Sequence, residues 1–155
     1  MTRGRITANI DIRQIVYLNL FYADLFVENK LRRINQLSEL KMLSVAEYVA
    51  ETAHSGQVDK AGVDYIEHPR AVASMVSGVN EKICALLHDV MEDTEFPESA
   101  LRILFGDEIV DTLLLLTHRD GDSYEEYIEK ISKSELATKV KIADLKDMGV
   151  EPDMV

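Results

Sequence analysis

Residues 81–93 read EKICALLHDVMED. Ile83, Cys84, Ala85, Leu86 and Leu87 are apolar without interruption, and a helix that is apolar on every side belongs in the middle of a bundle. The run ends abruptly in His88-Asp89, with Glu92 and Asp93 one helical turn further on. The segments on either side also carry helical spacing, and no stretch shows sustained period-2 alternation. The expected fold is therefore all-α, a bundle of six or seven helices packed around residues 81–93.

Upstream, Ser44 and Glu47 have the spacing of a capping box, with Leu43 and Tyr48 placed as its hydrophobic staple. A helix is expected to start there, to bury Val45, Ala46, Val49, Ala50 and Ala53, and to end near Ser55-Gly56. A polar loop, Gln57 to Glu67, should turn at Gly62. Pro69 suits the first position of the next helix, with Val72, Met75, Val76 and Val79 inward and Gly78 and Asn80 at its end. Downstream, Pro97 opens a helix, and Gly106-Asp107 separates it from one holding Ile109 to Leu116. Ser123 with Glu126 is a second capping box, leading to Tyr124, Tyr127, Ile128 and Ile131. Ser134 caps a last helix with Leu136, Val140 and Ala143 inward.

At 155 residues the chain can bury one sizeable core. Residues 42–155 read as that domain. Residues 1–41 read as an N-terminal extension expected to be helical, apolar in places but without a clean cap or Gly/Pro punctuation, and either packed on the domain as an extra helix or loosely attached to it. The formal net charge is −11, from 17 Lys plus Arg against 28 Asp plus Glu. A chain this acidic is repelled by nucleic-acid backbones and by anionic membrane surfaces, so neither is an expected partner. A phosphate-bearing ligand would need a bound cation to bridge it. Cys84 is the only cysteine; it can form neither an internal disulfide nor a thiolate metal cluster, which fits the cytoplasm. No apolar run approaches the roughly 20 residues that span a bilayer. Arg3 and Arg5 precede an apolar stretch, but no small-residue cleavage site follows, so no secretory signal is read. Homo-oligomer formation is left open.

The candidate chemistry gathers at the end of the buried run. His88 to Glu92 and Asp89 to Asp93 are both i, i+4 pairs, so the four groups share one side of a helix. Charged groups directly after Ile83 to Leu87 are costly to bury unless something compensates, and a bound metal would do so. The same spacing also fits a helix end that simply emerges into water. His68, just before Pro69, and Asp144, behind Val140 and Ala143, are further candidate ligands; each could equally be an ordinary helix-boundary residue.

Taken together, the segments around His54 to Ala73 (HSGQVDKAGVDYIEHPRAVA), ALLHDVMEDT, SYEEYIEKIS and VKIADLKD resemble the HD-domain phosphohydrolases. Within these, the chain is similar to the branch of RelA/SpoT-type hydrolases of guanosine tetra- and pentaphosphate and their small single-domain relatives. The resemblance spans roughly residues 43–148. It implies an HD-type helical bundle in which His68, His88, Asp89 and Asp144 hold one divalent metal, usually manganese. Glu92 and Asp93 match the pair that positions and activates the attacking water. His54 matches a histidine supporting the site from behind, while Lys60 and Tyr65 are the remaining candidates for substrate contact.

Two imidazoles and two carboxylates form a mixed nitrogen and oxygen donor set suited to such an ion. The resemblance thus implies a metal-dependent phosphohydrolase of a small nucleotide, foremost guanosine 3′,5′-bis(diphosphate), releasing pyrophosphate from the 3′ position. The pattern departs in three places. Asp59 stands where the alarmone hydrolases usually carry Arg. Met148 stands where they usually carry Asn. The chain also stops at Val155, short of a helix that normally helps close the pocket. These departures keep two alternatives in play: a nucleotide phosphomonoesterase or pyrophosphohydrolase of other specificity, and a metal- or nucleotide-binding module without turnover.

Overall fold

The computed structural model describes residues 12–119 and 121–150. Expectations placed on residues 1–11, on Asp120 and on residues 151–155 lie outside the described residues. The elements are α1 (Ile12–Ala53), α2 (Glu67–Ser74), α3 (Val79–Leu87), α4 (Val90–Asp93), α5 (Glu98–Phe105), α6 (Asp107–Leu116), α7 (Tyr124–Ser132) and α8 (Glu135–Asp147). Only His88 and Asp89 separate the single turn α4 from α3, and counting the two together gives seven helices among the described residues. The protein is all-α; an isolated bridge between Val58 and Asp64 is the extended pairing found among the described residues. No described helix is long and apolar enough to cross a membrane.

The chain divides into two compact units, Met1–Ser38 and Glu39–Val155. In the first, the helical residues Leu25, Phe26, Val27, Leu31, Ile34 and Leu37 are exposed. The second holds the core. There α3 packs against α2, α6 and α8, and Ile83, Cys84, Ala85, Leu86 and Leu87 are all buried, as an all-apolar helix must be. Burial pushes the Cys84 thiol up to about 12, so this side chain is a core residue without thiolate reactivity.

Several local readings need correction. No helix starts at Ser44: α1 runs through it, and the Ser44 hydroxyl donates to the Leu40 carbonyl at 2.9 Å. That bond needs residues 40–44 already helical, and nothing in Lys41-Met42-Leu43 stops a helix. Tyr48 is exposed and forms no staple, while Glu47 accepts from Arg70 Nε at 2.6 Å. Pro69 is the third residue of α2, still within the first turn, where its missing N–H costs nothing. Met75 is exposed. Asn80 lies inside α3, whose N-terminus begins at Gly78, where Glu81 Oε2 accepts from the Gly78 amide at 2.8 Å.

Residues 81–93 are not one helix either. The Ala85 carbonyl, which an unbroken helix would offer to the Asp89 amide, accepts the His88 ring at 2.8 Å, and the chain turns at His88-Asp89 before α4. The start signals at Ser123 and Ser134 are as expected. Ser123 and Glu126 form a reciprocal capping box, and the Ser134 hydroxyl accepts from the Ala137 amide. Gly106, with φ +80, makes the junction between α5 and α6 that a side chain would strain.

Candidate metal centre and cleft

Three elements of the second unit bring the candidate ligands together. His68 comes from the first turn of α2, His88 and Asp89 from the turn after α3, and Asp144 from α8. His88 Nε2 lies 3.1 Å from Asp89 Oδ2 and 3.6 Å from Asp144 Oδ1. His68 Nε2 lies 3.2 Å from Asp144 Oδ1 and 3.6 Å from Asp89 Oδ2. Donor atoms of His68, His88 and Asp144 all fall within 4.8 Å of one another, close enough to share one ion.

The hydrogen bonds behind the rings say which nitrogen is free. His88 Nδ1 meets the Ala85 carbonyl at 2.8 Å, so Nδ1 carries the proton there. The opposite nitrogen, Nε2, is buried and has no hydrogen-bond partner among the described residues. A buried polar atom is seldom left this way, and a cation would satisfy it. His68 is held likewise, with Nδ1 2.7 Å from Asp147 Oδ2 and Nε2 turned to the carboxylates. Two imidazole Nε2 atoms and two carboxylates therefore converge, with a charge balance that suits a divalent ion.

The carboxylates are held as well. The Tyr65 hydroxyl donates to Asp89 Oδ2 at 2.6 Å and to Asp93 Oδ2 at 3.3 Å. Burial, followed by these two carboxylates, raises the Tyr65 phenol above its ordinary range, so the hydroxyl stays a donor. Lys141 Nζ donates to Asp144 Oδ2 at 2.8 Å and sits over the Tyr127 ring, 5.4 Å from its centroid. Burial opposes ionisation of Asp144, but the imidazoles of His68 and His88 and the Lys141 ammonium outweigh it and hold the carboxyl well below the usual carboxylate range.

This cluster floors a cleft of about 330 Å³, whose lining also includes Glu92, Asp93, His118, Tyr124, Tyr127 and Met148. Glu92 is exposed to the cleft, and its Oε2 accepts from the His118 amide at 2.9 Å, which aims the side chain. Behind the cleft His54 is buried. Its Nδ1 meets Gln57 Oε1 at 2.8 Å, and Gln57 Nε2 donates to the Asp93 carbonyl at 3.0 Å, pinning the end of α4. Its ring lies 4.9 Å from that of Tyr65.

The two candidates for substrate contact are placed differently. Lys60 is exposed on the loop before α2 and does not line the cleft. Tyr65 does line it, but its hydroxyl is committed to Asp89 rather than free for a substrate. Asp59 is turned into its own loop: its Oδ1 accepts from the amides of Ala61 at 2.8 Å and Val63 at 2.9 Å. Three residues at the site escaped the sequence reading: Lys141, Asp147 and Gln57. Lys141 and Asp147 lie three residues either side of Asp144, a spacing that places both on its helical face and could have flagged them.

Residues 46–143 match the family profile described as HD domain. The chain is 31% identical over 116 residues to the bifunctional (p)ppGpp synthase/hydrolase SpoT of Escherichia coli, an alignment covering 72% of this chain and 16% of that protein. It is 35% identical over 121 residues to a GTP pyrophosphokinase of Streptomyces coelicolor, covering 74% and 14%. The chain thus spans about one seventh of the length of these curated relatives. A solved structure described as "A metazoan ortholog of SpoT hydrolyzes ppGpp and plays a role in starvation responses" superposes with a TM-score of 0.61 at 25% identity, covering 69% of this chain and 67% of that one. The profile match runs from the buried face of α1 almost to Asp144 and takes in more than half of the chain, which places this protein in the HD-domain family.

Proposed function

We propose that this chain is a metal-dependent phosphohydrolase acting on a small nucleotide, with guanosine 3′,5′-bis(diphosphate) as substrate and pyrophosphate leaving from its 3′ position. The domain responsible is residues 42–155, with residues 1–41 as an extension. The observation that carries the reading is the buried Nε2 of His88, without a hydrogen-bond partner among the described residues and facing two carboxylates and a second imidazole on the floor of an open cleft. The names of the relatives supply the substrate.

His68, His88, Asp89 and Asp144 would hold the ion, and manganese suits their mixed donors. When bound, a divalent cation supplies Lewis acidity toward a phosphoryl oxygen and makes water more acidic. The remaining work falls to side chains. Glu92 reaches into the cleft beside these ligands as the acceptor for the proton of the attacking water, and Asp93 keeps that water in line. Tyr65 keeps Asp89 oriented. Lys141 contributes a positive charge to the lining of the cleft, where a polyphosphate would lie.

The metal-free site has a definite pH behaviour. The Asp144 carboxylate raises the His68 imidazole to about 9 against the opposition of burial, with Asp147 adding to the effect. A raised histidine contributes stability that is complete below its unfolded value of about 6.5 and is lost as pH rises through the folded value. Metal-free protein is expected to melt at progressively lower temperature between pH 6.5 and 9 on this account. Manganese must displace the same proton, so its affinity is expected to climb as the pH rises from 6 to 8. Melting curves in chelator and calorimetric manganese titrations check the two trends; an affinity flat across that range contradicts the ligand role of His68.

The activity itself is tested by anion-exchange product analysis with manganese. The panel holds guanosine tetraphosphate and ordinary nucleoside mono- and triphosphates, with His88→Ala as control. Manganese-dependent pyrophosphate release from the tetraphosphate is the expected result. Met148 lines the cleft where alarmone hydrolases usually have Asn, and this favours, as second reading, a phosphomonoesterase or pyrophosphohydrolase of other specificity. Turnover of another panel member alone would establish it. No turnover of any would leave a metal- or nucleotide-binding module.

A further inference from the structure

We infer that Asp147 is a positioning residue for the metal centre: it fixes the tautomer and the plane of His68 so that Nε2 is presented to the ion. This rests on the metal site proposed above and goes beyond it, since Asp147 belongs to none of the four ligands. Asp144 and Asp147 stand one turn apart on α8 and take opposite edges of one imidazole carried by α2. Asp144 Oδ1 is 3.2 Å from Nε2, and Asp147 Oδ2 is 2.7 Å from Nδ1. An ionised carboxylate only accepts hydrogen bonds, so contact at 2.7 Å places a proton on Nδ1. Where an ion displaces the proton of Nε2, the remaining N–H stays at Nδ1 against Asp147 and the lone pair lies at Nε2.

The two histidines are thus held by different means. His88 is fixed by the Ala85 carbonyl, a backbone group that no substitution removes, and its ring is almost wholly buried. His68 is about one-fifth exposed, on the open side of the cluster, and among the described residues its Nδ1 is hydrogen-bonded to a side chain, Asp147. Without Asp147 the ring is free to rotate or to carry its proton on Nε2, and either change removes a ligand. A carboxylate behind the ring also makes it a stronger donor.

The test is calorimetric titration of manganese alone into the metal-free full chain, wild type against Asp147→Ala and Asp147→Glu. Loss of an outer carboxylate partner typically weakens metal binding by about 10- to 100-fold, and that is the loss expected for Asp147→Ala, with partial recovery in Asp147→Glu. Binding by Asp147→Ala within twofold of wild type overturns the inference and leaves the four-ligand site standing. Failure of the wild type itself to bind manganese overturns both. Should Asp147→Ala not fold, the wild type carries the test through proton–nitrogen spectra of its histidine rings with zinc bound. His68 protonated at Nδ1 and coordinated through Nε2 is the expected state, and coordination through Nδ1 overturns the inference.

Discussion

Asp144→Ala is expected to strip the protein of its divalent metal and to lower the stability of the metal-free form by about 3 kcal/mol, the scale seen when one partner leaves a buried ion cluster. Asp144 is buried and lies at the meeting point of three positive or ionisable groups. His68 Nε2 is 3.2 Å away, His88 Nε2 3.6 Å and Lys141 Nζ 2.8 Å. Removing the carboxylate leaves the Lys141 ammonium, itself largely enclosed, without its anion and takes from both imidazoles the carboxylate they face. A loss of that size corresponds to roughly 10 °C in melting temperature for a domain of this length. Asp144→Asn keeps the volume and should retain part of the stability while losing the metal. Metal content and melting temperature both unchanged in Asp144→Ala would contradict the arrangement derived above.

The second large effect is expected at Glu92, and it separates chemistry from binding. Glu92→Gln preserves the side-chain length and an oxygen able to accept from the His118 amide, so the side chain keeps its aim. What it loses is the charge and the basicity that proton acceptance needs. Turnover should fall by about 10²- to 10⁴-fold, with manganese affinity and melting temperature close to wild type because Glu92 is not among the clustered donors. Steady-state rates beside calorimetric titrations make the comparison. Normal turnover in Glu92→Gln would remove its assigned role; lost metal binding would make it a ligand instead.

What could be read from the residues follows from the range of each interaction. The place of α3 was legible because five consecutive apolar residues, Ile83 to Leu87, admit no wet face. The starts of α7 and α8 were legible because capping is a contact over three residues, Ser123 to Glu126 and Ser134 to Ala137. The same signature misled at Ser44, because its hydroxyl can serve the carbonyl one turn back as readily as an amide ahead. The break at His88-Asp89 was hidden, since it depends on a side chain taking over a backbone acceptor.

The cluster itself depends on separations that no local pattern reports. His68 and Asp147 touch across 79 positions, and Gln57 and Asp93 across 36. Spacing alone left His68 and Asp144 open between candidate ligands and ordinary boundary residues; the resemblance to a family supplied the expectation that they meet, and the packing of α2 and α8 on α3 brings them together. The resemblance offered Lys60 for substrate contact and marked Asp59 as a departure; Asp59 Oδ1 accepts from its own loop's amides, and Lys60 does not line the cleft.

The most direct measurement is an anomalous difference map at the manganese edge from crystals of the full chain grown with manganese. A single strong peak bounded by His68 Nε2, His88 Nε2 and the carboxylates of Asp89 and Asp144 is the expected result. A map without a peak there, or with manganese held by Glu92 and Asp93 instead, would contradict it.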